Sequence, residues 1–259
     1  MIKGLDKFRA HFAQTCHAFV LIGGVACHEW LASQGLPFRV TKDIDLVLVI
    51  EALDQSFTNR LWTFIEAGGY EIREKSGNRE LYRFSKPKDD SYPAMIEIFS
   101  RKPAGIEVAE GQHVVPITID EGSAALSAIL LDEDYYSLVM NHRTQDTDLP
   151  RVNPAALIPL KARAWLDFTR RQKEGQQVDA KDIAKHRADV FRIAATLPGE
   201  PGPNIPDPIR ADLKAFMEAF PPESAEWPAI LESLKTTFGG TKLQPEDLKT
   251  VIRTYFGID

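Results

Sequence analysis

The chain has 259 residues, a formal net charge of −6, 44% hydrophobic residues and 26% charged ones. Such a composition suits a soluble globular protein of one large or two smaller domains, and it excludes fibrous and disordered classes. No apolar run approaches the roughly 20 residues of a membrane span, and MIKGLDKFRAHF lacks the apolar centre of a signal peptide, so no membrane partner and a cytoplasmic location are expected.

Along the chain, AFVLI (18–22) reads as a strand, Gly23-Gly24 as a turn and VACHEWLAS as a helix. TKDIDLVLVI (41–50) is β-branched and apolar from Ile44 onward, as a buried strand is. FTNRLWTFIEA is helical and closed by Gly68-Gly69, a usual stop. YEIREK and RELYRFS alternate on either side of Ser76-Gly77-Asn78 as a hairpin does. AMIEIF is a short buried strand, and VVPITI (114–119) adds another that Pro116 confines to an edge. The class predicted is α+β, with a mixed-sheet domain over residues 1–120 and a mainly helical domain over 121–259.

In the second part, SAALSAILLDEDYYSLVMN reads as helical. Pro159–Lys173 and Asp179–Leu197 are stronger helices, and the proline-rich stretch 198–208 is a loop. Further helices are expected around 209–219, 226–238 and 245–255. The segment 151–192 carries ten Lys and Arg against five acids, a surplus of +5, which leaves −11 for the rest. Cys16 and Cys27, each followed by a histidine, lack the paired spacing of zinc sites and read as packing residues.

The acids are the informative residues. Positions i and i+2 of a strand share a face, so Asp43 and Asp45 point the same way. Two like charges so placed repel unless a cation lies between them, and a divalent metal is the natural one. Glu97 sits among Met95, Ile96, Ile98 and Phe99, where a lone buried charge costs several kcal/mol. Should its strand lie beside 44–50, three carboxylates form an oxygen-rich set suited to Mg²⁺. Each acid also has a plainer use: Asp43 as a turn cap, Glu97 as an exposed edge residue.

The order Ile22-Gly23-Gly24, helix, Asp43-Ile44-Asp45 and a later strand with a central acid resembles the polymerase-beta-like nucleotidyltransferase superfamily. The spacer from Gly24 to Asp43 holds 18 residues, longer than usual for that family, so SQGLPFRVTK is expected to contain a loop insertion. With a second glycine in place of the family's serine, only backbone N–H groups at a helix N-terminus are left to hold phosphate there.

The helix from Pro159 places Lys161 inside its apolar stripe with Leu160, Ala164, Trp165 and Phe168, at about 100° per residue. Its stem either snorkels to water or carries its ammonium to a triphosphate. In the next helix Asp182, His186 and Asp189 share one side. Asp182 also suits a helix N-terminus, and His186 a structural hydrogen bond. LIPLKARAWLDFTRR and KDIAKHRADVFRIA resemble the helical part of AbiEii-like nucleotidyltransferases, toxins of toxin–antitoxin and phage-defence systems, through Lys161 and the pair Lys181-Asp182.

The resemblance implies transfer of a nucleotidyl group from a nucleoside triphosphate, ATP or another, to a hydroxyl. It implies two Mg²⁺ ions on Asp43, Asp45 and Glu97, and nucleotide contacts from Gly23, Gly24, Lys42, Lys161, Lys181 and Asp182. RNA, possibly tRNA, is one expected acceptor, given the basic segment with Arg163, Arg170, Arg171 and Lys185; a protein hydroxyl is the other, and a cognate antitoxin is a further expected partner. Two alternatives stand beside this: an inactive nucleotidyltransferase fold that only binds a partner, and a metal-dependent phosphodiesterase.

Overall fold

The structure is a computed structural model that describes residues 2–75, 78–104, 114–117, 126–144 and 149–258. It is an α+β protein with, among the described residues, nine α-helices and a seven-stranded mixed sheet. The chain forms two compact units, one of residues 1–26 and 40–152, the other of 27–39 and 153–259.

The first unit holds the sheet. Its elements in chain order are α1 (Leu5–Phe12), β1 (Phe19–Ile22), the start of α2 (Gly23–Ser33), β2 (Asp43–Leu48), α3 (Gln55–Gly68), β3 (Glu71–Lys75), β4 (Asn78–Ser85), β5 (Met95–Ser100), β6 (Val114–Ile117), β7 (Leu126–Leu130) and α4 (Glu133–Asn141). The main path runs β1-β2-β5-β4-β3. β1 is antiparallel to β2, while β2 and β5 run parallel. One edge of β5 is shared: β4 pairs antiparallel with Met95–Glu97, and β7 pairs parallel with Phe99 and Ser100.

Period-two alternation fixes which face is core. Ile44, Leu46, Leu48, Ile96 and Ile98 are almost fully buried, and they pack with Phe8 and Phe12 of α1 and Phe57, Leu61 and Phe64 of α3. The rings of Phe8, Phe12, Phe19 and Phe64 meet at centroid separations of 4.4–5.8 Å, the range in which aromatic pairs add to burial. Helix α3 starts where Asp54 accepts a hydrogen bond from the Phe57 amide and stops at Gly69, whose φ of 62° suits glycine. With α1 and α3 on the hydrocarbon face, the acids of β2 and β5 are left to the other face.

The second unit is helical: α5 (Pro154–Lys173), α6 (Ala180–Ala194), α7 (Asp207–Glu218), α8 (Trp227–Phe238) and α9 (Pro245–Phe256). Asn153 and Asp179 cap α5 and α6 by accepting from the amides of Ala155 and Lys181. Trp165, Phe191, Phe216, Phe220 and Trp227 form its aromatic core. No described helix is long and apolar enough to cross a membrane.

Two sequence expectations are corrected. SAALSAILLDEDYYSLVMN is not one helix: its described part gives β7 and then α4, capped by Asp132, because pairing with β5 and β6 overrides the weak propensity of the Ser/Ala-rich stretch. The sheet unit consequently runs past residue 120 to 152, and residues 27–39 group with the helices. The hairpin of β3 and β4 forms as expected, although Ser76 and Gly77 of its turn, like 118–119 of VVPITI and 123–125 of SAAL, lie outside the described residues. β6 pairs with β7 alone among the described strands, in keeping with Pro116.

Candidate functional site

In the sheet unit, Asp45 pairs in register with Ile22 on one side and Glu97 on the other, and Glu97 pairs with Arg83 of β4. Register partners share a face, and so do residues two apart. Asp43, Asp45, Glu97 and Arg83 therefore line one face of the sheet, all of it opposite to the Ile44–Ile96–Phe84 row in the core. The strand predicted to carry the third acid is the direct neighbour of the strand carrying the first two.

Gly23 closes this face. It has φ +65°, and a Cβ placed on it would stand 1.8 Å from Oδ2 of Asp45. A side chain is excluded both by the left-handed backbone and by the carboxylate it would strike. At Gly24 the same test meets Oγ1 of Thr41 at 2.4 Å. Both glycines thus let the first turn of α2 approach the edge of β2, which brings backbone N–H groups toward the acids' end of the sheet. Residues 34–42, where the loop insertion was expected, carry no helix or strand, and Lys42 is exposed.

Glu97 is held. Arg83 donates from Nε and Nη2 to its Oε1, each at 2.5 Å, with the glutamate side chain 14% exposed. A charge-assisted pair in so sheltered a place resolves how a glutamate tolerates its apolar neighbours. Among the described residues no three His, Cys, Asp or Glu side chains are gathered closely enough to hold a metal ion as they stand. The donor chemistry nevertheless suits a hard cation: Asp43, Asp45 and Glu97 offer carboxylate oxygens on one face, with Glu97 turned to Arg83.

The helical unit has its own polar centre. Lys161 is 4% exposed, and its Nζ lies 3.4 Å from Oδ2 of Asp189, so snorkelling to water does not occur. Asp189 is fully buried and also takes Arg192 on Oδ1 at 2.6 Å, while Arg39 spans both oxygens at 3.2 and 2.7 Å. Burial pushes the Asp189 carboxyl up, but Lys161, Arg39 and Arg192 together outweigh it and hold the pKa down at about 2. Burial, and then Lys161 and Lys185, push the His186 imidazole down to about 2, and its ring packs edge-on to Phe168. His186 Nδ1 has no hydrogen-bond partner among the described residues.

Lys181 and Asp182 lie in the first turn of α6; Lys181 is exposed, and Asp182 pairs with Lys185 at 2.8 Å. The buried acid of that helix is Asp189, seven residues on. The basic surface is internally paired: Arg163 with Asp212, Arg170 and Arg171 with Asp167, and Arg187 with Glu226. Exposed pairs of this kind are worth at most about 1 kcal/mol and exchange readily for other anions.

Sequence reasoning did not single out Arg83, Thr41, Arg39 or Arg192 as site residues. Arg83 had a signal in the alternation of RELYRFS, and Arg192 stands three residues after Asp189 on α6; Arg39, in an irregular loop, had none. Comparison with known proteins adds no name: no family model, no curated protein and no solved structure matches the chain.

Proposed function

We propose that this protein is a Mg²⁺-dependent nucleotidyltransferase that moves a nucleotidyl group from a nucleoside triphosphate to a hydroxyl of RNA, tRNA included, or of a protein, and that it acts as the toxin of a toxin–antitoxin or phage-defence pair. The observation that carries this reading is the register of Asp45 with Glu97 on adjacent parallel strands, with Gly23 fitted against the Asp45 carboxylate. Asp43 and Asp45 are the first holders of the metal, and Glu97 joins them on leaving Arg83. Bound Mg²⁺ supplies Lewis-acid polarisation of the phosphate and acidifies the acceptor hydroxyl.

The chain's own groups do the rest. Glu97 accepts the proton of the attacking hydroxyl, a new O–P bond forms at the α-phosphate, and the α–β anhydride bond breaks to release pyrophosphate. Gly23 and Gly24 allow backbone N–H groups of α2 close to phosphate oxygens. Nucleotide contacts in the helical unit fall to Lys161, with Lys181 and Asp182 in the first turn of α6.

One observation favours a second reading, in which the fold binds a partner without chemistry: Arg83 holds Glu97, and no described carboxylates are gathered for a metal. Incubating the protein with Mg²⁺, each α-labelled triphosphate, and either total RNA or lysate protein separates the two. Label on RNA or protein supports transfer and identifies the acceptor; nucleotide binding with no transfer supports the second reading; RNA cleavage points to phosphodiesterase chemistry instead.

A further inference from the structure

The helical unit buries more positive charge around one carboxylate than that carboxylate can serve. Lys161 and Arg192, 4% and 3% exposed, share Asp189, which also takes Arg39. Leaving Arg39 out of the count, two enclosed cations still face one anion. An ammonium has three N–H donors, and among the described residues Lys161 makes a single ion contact, at 3.4 Å. Arg192 places one nitrogen on Asp189 and another on the Ser233 carbonyl at 2.8 Å, while its buried Nε has no partner among the described residues. The nearby groups do not restore balance: burial pushes the Cys27 thiol up to about 12, so it contributes no negative charge.

Uncompensated buried charge costs several kcal/mol, and the usual compensation is a counter-ion. The layout indicates which kind. Lys161 stands on Oδ2 of Asp189 and Arg192 on Oδ1, so the two donors are offset by the width of a carboxylate. Donors set apart in this way address neighbouring phosphates of a chain better than the oxygens of a single one. Lysine as a point charge and arginine as a planar fork are the two side chains best suited to phosphate oxygens.

We infer that the helical unit carries a binding site for a polyphosphate chain, with Lys161 and Arg192 as its donors, Arg39 beside them, and Asp189 as the residue that positions all three. The inference rests on the transferase reading only in taking a nucleotide as the physiological source of the phosphates; the site itself needs neither the sheet acids nor a metal. Asp189 is a positioning residue because its carboxylate sets where each cation points.

The test is calorimetric titration of the whole protein in EDTA with inorganic tripolyphosphate, orthophosphate and each nucleoside triphosphate. Tripolyphosphate is expected to bind without metal and at least ten-fold more tightly than orthophosphate. Lys161→Met, which keeps the apolar stem, is expected to weaken it at least ten-fold. Asp189→Asn separates positioning from charge: removal of a negative charge alone would tighten anion binding, whereas loss of positioning weakens it. If Asp189→Asn does not fold, the wild-type and Lys161→Met titrations decide alone.

No binding of tripolyphosphate at millimolar concentration overturns the inference, and so does Lys161→Met binding as tightly as wild type. A nucleoside triphosphate that binds more tightly than tripolyphosphate identifies the nucleotide as the source; equal binding identifies the bare chain. Tripolyphosphate binding in a protein that transfers no label would leave this site standing and remove the transferase reading. Label transfer with Lys161→Met affinity unchanged would do the reverse.

Discussion

The carboxylate of Asp45 lies so close to Gly23 that a Cβ on that glycine would stand 1.8 Å from Oδ2. The glycine also sits at φ +65°, a conformation that costs an L-residue about 1–2 kcal/mol before any clash is counted. Gly23→Ala is therefore expected to lower the unfolding free energy by at least about 2 kcal/mol and to shift the Asp45 side chain. Urea denaturation followed by circular dichroism measures it; an unchanged midpoint would mean that the turn accommodates a methyl group and that the close approach is not required.

Arg83 competes with a metal for Glu97. A hydrogen bond to a charged group contributes about 1.5–3 kcal/mol, and roughly 1.4 kcal/mol is a factor of ten in affinity. Arg83→Gln is thus expected to tighten Mg²⁺ binding by about ten-fold, read by calorimetry on the nucleotide-free protein. Equal or weaker Mg²⁺ binding in the variant would remove Glu97 from the set of metal ligands.

Two groups of the helical unit tie its stability to pH in separate windows. The His186 imidazole falls from its ordinary 6.5 to about 2. The unfolded chain therefore takes up a proton first, and this contribution is complete above pH 6.5 and shrinks as pH falls below it, by about 1.4 kcal/mol per unit. The Asp189 carboxyl falls from 3.8 to about 2, so its contribution is complete above pH 3.8 and is lost between there and pH 2. Stability measured at pH 7 and pH 5 should drop by about 2 kcal/mol in wild type, and most of that drop should vanish in His186→Phe. A drop of the same size in the variant would place the proton uptake elsewhere.

How far the sequence discloses this arrangement differs from residue to residue. Asp43 and Asp45 share a face by period alone, and Lys161 falls in an apolar stripe by the helical period alone, so both follow from local geometry. That β5 lies beside β2 depends on a chain that leaves at Leu48 and returns at Met95, and no local pattern encodes such a pairing. Glu97 was recognisable as an acid in need of a partner, but the partner, Arg83, comes from a third strand. Asp189 was visible on the right side of α6, whereas the convergence of Lys161, Arg192 and Arg39 on it needs α5, α6 and an irregular loop at once. The SAALSAIL segment misleads for the same reason: it is a strand because β5 and β6 flank it.

The most direct measurement compares wild type with Asp45→Asn in Mg²⁺ with α-labelled triphosphates and total RNA or lysate protein, circular dichroism showing that both are folded. Asparagine keeps the size of the side chain and removes only the charge that binds the cation. Label transfer by wild type, reduced at least about 100-fold in Asp45→Asn, is the expected result. Equal transfer by the two proteins would contradict the assignment of the β2 acids as the centre of the chemistry.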